Sequence, residues 1–207
     1  MFEGITRIMV VEDSPEYWLV KFLNSSVMQS MEPAQWQRVL KKMRLKRVDK
    51  SQRVVRRGDK GDHFFVIKQG GAIVHRHGTI LARLKAGDVF GEDAIISNGA
   101  RNAHVTMVES GELMVLPKGV FSELLVSAVV RFVKGGASAT FIDVSDKPGH
   151  ARGPGNTIHL PLLEFRERIG ELQPANTYCV VGGTLAQRAL GVFLLIQQGH
   201  KAWALIE

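Results

Sequence analysis

Three textures of apolar and polar positions succeed one another along the chain. From Ser30 the spacing is helical: Trp36, Val39, Leu40 and Met43 stand at i, i+3, i+4 and i+7, and Pro33 sits where a first turn tolerates proline. Between Val48 and Leu116 short runs rich in Val, Ile and Phe (residues 54–55, 64–67, 72–74, 80–84, 104–108 and 112–116) are cut by Gly-Asp, Gly-Gly and His-Gly pairs. Six or more short strands at this spacing predict an antiparallel sandwich or jelly roll. A helix is expected over Val120 to Val133, broken by Gly135-Gly136. Beyond it, strands TFIDV (140–144), IHLPL (158–162), TYCVV (177–181) and AWALI (202–206) alternate with helices expected at 163–172 and 186–198. That alternation predicts a small α/β unit on a parallel sheet. The expected organisation is therefore a lead-in at 1–18, flexible or forming a short strand through ITRIMVV, an all-β domain with flanking helices at 19–126, and an α/β domain at 127–207.

The chain has 207 residues, 45% hydrophobic and 23% charged, which suits a soluble globular protein. Its longest apolar stretch, Ala189 to Ile196, has eight residues, far short of the roughly 20 of a membrane-spanning helix. The first residues lack the basic-then-apolar order of a secretory signal. A single cysteine leaves no internal disulfide and no CxxC zinc site, and the reducing cytoplasm is the expected location.

The net charge of +7 is concentrated. Arg38 to Lys60 holds eleven Lys or Arg against two Asp, a local +9 that leaves the remainder near −2. Such a block meets an anionic partner or forms a solvated helix face followed by the outer side of a strand. No helix-turn-helix pattern or interleaved aromatics accompany it, so DNA is not an expected partner.

The segment GDVFGEDAIISNGARNAHV (87–105) carries the candidate chemistry. A short helix opening at Gly91 presents unpaired N–H groups to an anion, and Arg101 can close two charge-assisted bonds on a phosphate. Glu92 would repel a phosphate but accepts a bond from a sugar hydroxyl. Gly, Glu and Arg at this spacing suit a ribose phosphate. On the alternative reading, Arg101 and Glu92 are a surface ion pair in a domain without a ligand. His75 and His77, at i and i+2, lack further metal ligands at useful spacing and read as strand residues, as does His104. Asp143 is expected to orient backbone or a loop, Trp36 and Trp203 to pack.

The same segment resembles the phosphate-binding cassette of cyclic-nucleotide-binding domains, F-G-E-x-A-L followed by (P)-R-x-A. Phe90, Gly91, Glu92, Ala94, Arg101 and Ala103 fall on the pattern, with Ile95 for Leu and Ala100 where Pro is common. Upstream, RRGDKGDHFFVIKQGGAIV (56–74) is similar to the family's strand–turn–strand stretch, and the likeness covers roughly residues 20–126. It implies an eight-stranded jelly roll binding cAMP or cGMP through Phe90, Gly91, Glu92, Asp93, Ala94, Arg101, Asn102 and Ala103. In that carry-over Arg101 holds the cyclic phosphate, Glu92 the ribose 2′-hydroxyl, and Asn102 stands where some members select the purine. No cofactor or catalytic residue is implied.

The second half resembles a rhodanese-like domain in FIDVSD (141–146), PGNTIHLPL (154–162) and LEFRERIGEL (163–172). Active members end a strand in a catalytic cysteine opening a loop C-x-x-G-x-R-S. Anchored on helix FLLIQQGHKAW (193–203), that position falls on Gly182, leaving Cys179 inside TYCVV and Leu185 at the internal glycine. The other register keeps Cys179 and Gly182 as C-x-x-G, but needs three extra residues before the helix and lacks R-S. The resemblance implies a degenerate, noncatalytic domain coupled to a cyclic-nucleotide sensor, acting through a protein partner or homodimer. The alternative is a nucleotide-regulated sulfurtransferase using Cys179.

Overall fold

The computed structural model describes residues 14–134, 139–147 and 157–206. Three short helices come first: α1 (Tyr17–Leu23), α2 (Ser26–Gln29) and α3 (Pro33–Lys42). Pro33 opens α3, where its missing N–H costs nothing, and the Glu32 N–H is taken by the Gln35 side chain at 2.9 Å. Val39 faces the core, and the Trp36 indole donates to the carbonyls of Met28 and Met31. The lead-in reading is corrected at its end: Tyr17 and Trp18 belong to α1, because Trp18 and Phe22 bury against the core. The strand expected in ITRIMVV lies outside the described residues.

Two antiparallel sheets follow. The first has the order β1 (Arg44–Val48), β8 (Gly111–Pro117), β3 (His63–Gln69), β6 (Val89–Phe90). The second runs β2 (Arg53–Val55), β7 (His104–Met107), β4 (Ala72–Arg76), β5 (Thr79–Leu84). Alternate residues of the two sheets, among them Phe65, Ile67, Val105, Met107 and Leu113, fill the space between them. The short helix α4 (Glu92–Ile96) joins β6 to β7. His77 stands in the β4–β5 turn with φ +50°, so it does not share a strand face with His75 as expected.

A helical stretch leaves the sandwich as α5 (Lys118–Phe121), a π-helical turn at Ser122–Val126 and α6 (Ser127–Val129). It ends four residues before the expected Val133. Val129 and Val130 are β-branched, Val130 is already extended, and Phe132–Lys134 forms β9, pairing with β13 (Lys201–Ile206). The remaining elements are β10 (Thr140–Asp143), β11 (Thr157–His159), α7 (Phe165–Arg168), a 3₁₀ turn at Ile169–Glu171, β12 (Thr177–Val181) and α8 (Leu185–Gln197). Every ladder in this five-stranded sheet is parallel, in the order β11-β10-β12-β13-β9. The helix expected from Leu163 shrinks at both ends, with Leu163 exposed and Gly170 disfavouring further turns.

One apolar cluster unites the two halves. It runs from Trp18 and Phe22 through Phe64, Phe121 and Leu125 to Ile142, Phe165, Phe193 and Leu195. Phe121 is its hinge point: its ring lies 4.6 Å from that of Phe64 in the sandwich and 5.7 Å from that of Phe193 on α8.

Candidate functional site

The turn from β6 into α4 is built on Gly91, whose φ of +95° is left-handed. That conformation aims the Gly91 carbonyl at Arg101, which arrives from the other side of α4 and donates from Nη1 at 2.6 Å. Nη2 of Arg101 donates to the His63 carbonyl at 2.7 Å and reaches Asp62 Oδ1 at 3.4 Å. The main chain around Arg101 is pinned as well: its N–H donates to Asp59 O and its carbonyl accepts from Gly58 N. The guanidinium carbon lies 5.9 Å from the centroid of the Phe65 ring. These three side-chain contacts use three of the five N–H donors of an arginine, leaving Nε and one Nη1 hydrogen.

Arg101 lines a cavity of about 520 Å³. Val54, Val55, Phe65 and Val115 form its apolar wall, and Lys46, Arg56, Lys60 and Arg101 outnumber Asp59 and Asp62 among its charges. Burial pushes the Asp62 carboxyl up, but the hydrogen bond and charge of His63 and the charge of Arg101 outweigh it and hold the group below its ordinary range. The Asp62 carboxyl thus stays ionised, and the wall still carries more basic than acidic side chains. Three cations of the basic block, Lys46, Arg56 and Lys60, belong to this wall; Arg44, Arg47 and Lys50 stand exposed. The volume lies within the roughly 300–1,000 Å³ of small-molecule sites.

The remaining sequence candidates are arranged differently from the expectation. Phe90 stacks on Phe65 in the core, with ring centroids 4.8 Å apart. Ala94 and Ala103 are buried, and Gly61 packs so close to Ala94 that a Cβ there would stand 2.6 Å from the alanine Cβ. Helix α4 has only five residues, and Glu92 and Asp93 occupy its first turn, so they already complement its dipole. Two carboxylates therefore already stand at the helix end where N–H groups were expected to face an anion, while Arg101, the other half of that expectation, lines the cavity.

Glu92 and Asp93 are not on the cavity wall; they face the second half of the chain. Arg166 of α7 pairs through Nη2 with Glu92 Oε1 and, at 2.7 Å, with Asp93 Oδ1. Its Nε adds a 3.3 Å bond to Asp93 Oδ2, which also accepts from Asn102 at 3.2 Å. Glu92 is only 2% exposed, and its Oε2 is buried without a hydrogen-bond partner. Burial pushes the Glu92 carboxyl above its ordinary range, the Asp93 charge adds to this, and Arg166 pulls the other way. Arg101 and Glu92 are thus both buried and each has other partners, which removes the surface ion pair as an explanation. No motif in the sequence marks Arg166 as a partner of this turn. The one clue was Asp93, a charge inside the apolar turn EDAII that needs a cation.

Elsewhere, His75 meets Thr106 Oγ1 at 3.0 Å and His104 Nδ1 accepts from Arg57 N. No group of three or more metal-ligating side chains is found among the described residues. Asp143 accepts from the N–H and hydroxyl of Ser145, which fixes the chain after β10. Cys179 sits in the middle of β12, fully buried beside Phe141 and Val181, and burial raises its thiol pKa. The loop after β12 opens at Gly182 and Gly183, both with positive φ, and Thr184 caps α8. Arg188 of that helix donates to the carbonyls of Gly182 and Leu205.

Comparison with known proteins places the sandwich. Residues 45–128 match the family described as cyclic nucleotide-binding domain. Over 68 residues the chain is 40% identical to the cGMP-dependent protein kinase egl-4 of Caenorhabditis elegans, covering 33% of this chain and 9% of that protein. It is 28% identical over 130 residues to the cAMP-dependent protein kinase type II regulatory subunit of Drosophila melanogaster, covering 62% and 34%. The chain thus spans about a tenth to a third of these relatives' length. In structure it resembles the cAMP-bound regulatory domain of Toxoplasma gondii PKA (TM-score 0.50, 24% identity, 56% of this chain and 46% of that one). It also resembles cAMP-bound PfPKA-R (141–441), with TM-score 0.51, 23% identity and coverage of 58% and 45%. Both structural likenesses speak for the fold. Residues 45–128 form a domain of the cyclic-nucleotide-binding type.

Proposed function

We propose that this protein is a cyclic-nucleotide sensor whose sandwich takes cAMP ahead of cGMP in the cavity beside Arg101. The single observation that carries this is the buried guanidinium itself: fixed by two carbonyls, it keeps Nε and one Nη1 hydrogen for a phosphate at the wall of a cationic, apolar-backed hollow. Each charge-assisted bond would contribute about 1.5–3 kcal/mol. Lys46, Arg56 and Lys60 favour a monoanion over a neutral nucleoside, while Val54, Val55 and Val115 supply an apolar surface for a purine. Asn102 is engaged by Asp93 away from the cavity wall and leaves the choice of purine open; the cAMP in the two structural relatives favours cAMP.

In this reading the second half is a degenerate rhodanese-like domain without catalysis. Its parallel sheet and the glycine-opened loop after β12 support the resemblance, and Cys179 lies three residues before that loop. The protein acts in the cytoplasm as a regulator, through a protein partner or a homodimer, and the helical stretch 118–129 couples ligand to the α/β half. No helix among the described residues is long and apolar enough to cross a membrane.

Calorimetric titration with cAMP and cGMP tests the proposal. Arg101→Lys keeps the charge but loses the planar fork, so affinity falls at least about tenfold. An unchanged affinity in that variant counts against this cavity. If hydrogen exchange outside residues 60–133 stays the same on adding nucleotide, the coupling to the second half is wrong.

A further inference from the structure

We infer that the cavity beside Arg101 has a second anion subsite at its mouth, formed by Lys46, Arg56 and Lys60. Its ligand is then a nucleotide carrying two phosphodiester groups, one at the inner guanidinium and one at this rim. The inference rests on the reading of Arg101 as the inner phosphate site and adds to it the class of ligand that matches the whole wall.

That wall has an inner and an outer part. Arg101, Val55 and Phe65 are buried, whereas Lys46, Arg56 and Lys60 are exposed. The three rim cations come from separate segments instead of one solvated helix face. Lys46 belongs to β1, Arg56 follows β2, and Lys60 lies in the connection into β3. A backbone bridge from Lys60 to Ala100 ties that connection to the segment that delivers Arg101. Successive side chains of a strand point to opposite faces, so Lys46 lines the cavity while its neighbour Arg47 pairs with Glu112 at 3.5 Å. None of the three rim side chains makes an ion pair or a hydrogen bond among the described residues.

Charge decides what the mouth accepts. Four basic side chains share the wall with two carboxyls, Asp59 and Asp62, and Asp62 is already engaged by His63 and Arg101. The formal excess is two positive charges. A cyclic mononucleotide brings one negative charge and meets it at Arg101. The remaining charge stands at the rim, in donors for which this chain supplies no acceptor. A second phosphodiester balances that charge and accepts charge-assisted bonds from a guanidinium and two ammonium groups. The rim faces solvent, so the outer part of a larger ligand does not have to fit inside the enclosed volume of about 520 Å³.

The test titrates the full chain with three adenine ligands. Cyclic AMP has one phosphodiester, cyclic di-AMP has two, and linear adenylyl-3′,5′-adenosine has two nucleosides but one phosphodiester. Wild type should bind cyclic di-AMP at least about tenfold more tightly than either of the others, the worth of one hydrogen bond to a charged group. The triple variant Lys46→Gln, Arg56→Gln, Lys60→Gln should lose about tenfold or more for cyclic di-AMP and no more than about threefold for cAMP. Raising the salt concentration should narrow the preference in wild type, because exposed charges are screened. Equal losses for both ligands in the triple variant make the rim a general attractive field and overturn the inference. Adenylyl-adenosine binding as tightly as cyclic di-AMP also overturns it, since the second nucleoside would then supply the gain. Binding of cAMP without tighter binding of cyclic di-AMP overturns the second subsite and leaves the Arg101 reading standing. A wild type that binds none of the three overturns both.

Discussion

Gly91 and Arg101 form a mutually dependent pair: the carbonyl of Gly91 accepts from Arg101 Nη1 at 2.6 Å, and a Cβ on residue 91 would stand 2.7 Å from that same nitrogen. The glycine therefore has two reasons to be there. Its left-handed φ turns the carbonyl inward, and its lack of a side chain lets the guanidinium reach it. The arginine is held where a phosphate would meet it before any ligand arrives.

Gly91→Ala tests that dependence. The φ of +95° alone costs an L-residue about 1–2 kcal/mol, and the new methyl also crowds Arg101 and the His63 carbonyl, 2.9 Å away. A loss of about 2 kcal/mol or more is expected, a drop in melting temperature on the order of 5 °C for a chain of this size. Nucleotide affinity should fall together with stability. A variant as stable as wild type would show that the turn can be made without the left-handed residue.

The Glu92–Arg166 contact makes a prediction about pH. Burial raises the Glu92 carboxyl above its ordinary range, so between the ordinary value and the raised one the native chain binds a proton that the unfolded chain has released. The stability tied to this group is present on the acid side of that window and is lost as pH rises through it. Arg166 opposes the rise; Arg166→Gln removes the opposition and extends the window upward. Its deficit against wild type, read from urea midpoints, should be smallest near about pH 5 and grow toward about pH 8. A deficit that is flat with pH means that Glu92 does not change its protonation.

Much of this arrangement is legible along the chain, and the exceptions share a cause. Strands β3, β4, β5, β7 and β8 stand out because their β-branched and aromatic runs are cut by glycine turns. Strand β1 does not, since four of the five residues in RLKRV are exposed and carry mostly charge; β6 has only two residues. The helix expected after the sandwich runs past its real end because Val130, Phe132 and Val133 fit a helical face as readily as the strand they enter, and only pairing with β13 decides. Gly91, Glu92 and Arg101 are close in sequence and carry a motif. Arg166 is remote, its helix α7 has four residues, and nothing local marks it as the partner of α4. Long-range ion pairs have no periodicity to read.

Cys179 offers a check on chemistry in the second half. Its side chain points into a small cluster with Phe141 and Val181, in the middle of β12, and burial lifts its thiol pKa. A thiolate is the reactive form, so the folded protein should react with a disulfide reagent many times more slowly than the unfolded chain. Thiosulfate:cyanide sulfurtransferase activity should be absent from wild type and from Cys179→Ser alike. Activity in wild type that disappears in the variant would establish the sulfurtransferase alternative.

Phe121 and Phe193, with ring centroids 5.7 Å apart, raise the question of whether the chain unfolds as one body or two. A strand–helix boundary near residue 126 suggests two independent units. The continuous cluster from Trp18 to Ala204 argues for one, because neither half covers its own apolar face. Phe193 is 1% exposed, and Phe193→Ala should cost roughly 3–5 kcal/mol. More telling is where the loss is felt. Trp18 and Trp36 report on the N-terminal helices and Trp203 on β13, so variants that retain only one reporting region can follow each half in urea. In a single cooperative unit both reporters keep coincident midpoints, and Phe193→Ala moves them together. If the Trp203 midpoint falls while the N-terminal one holds, the two halves are separately stable. The Arg166 contact would then join two folded bodies instead of lying at the edge of one core.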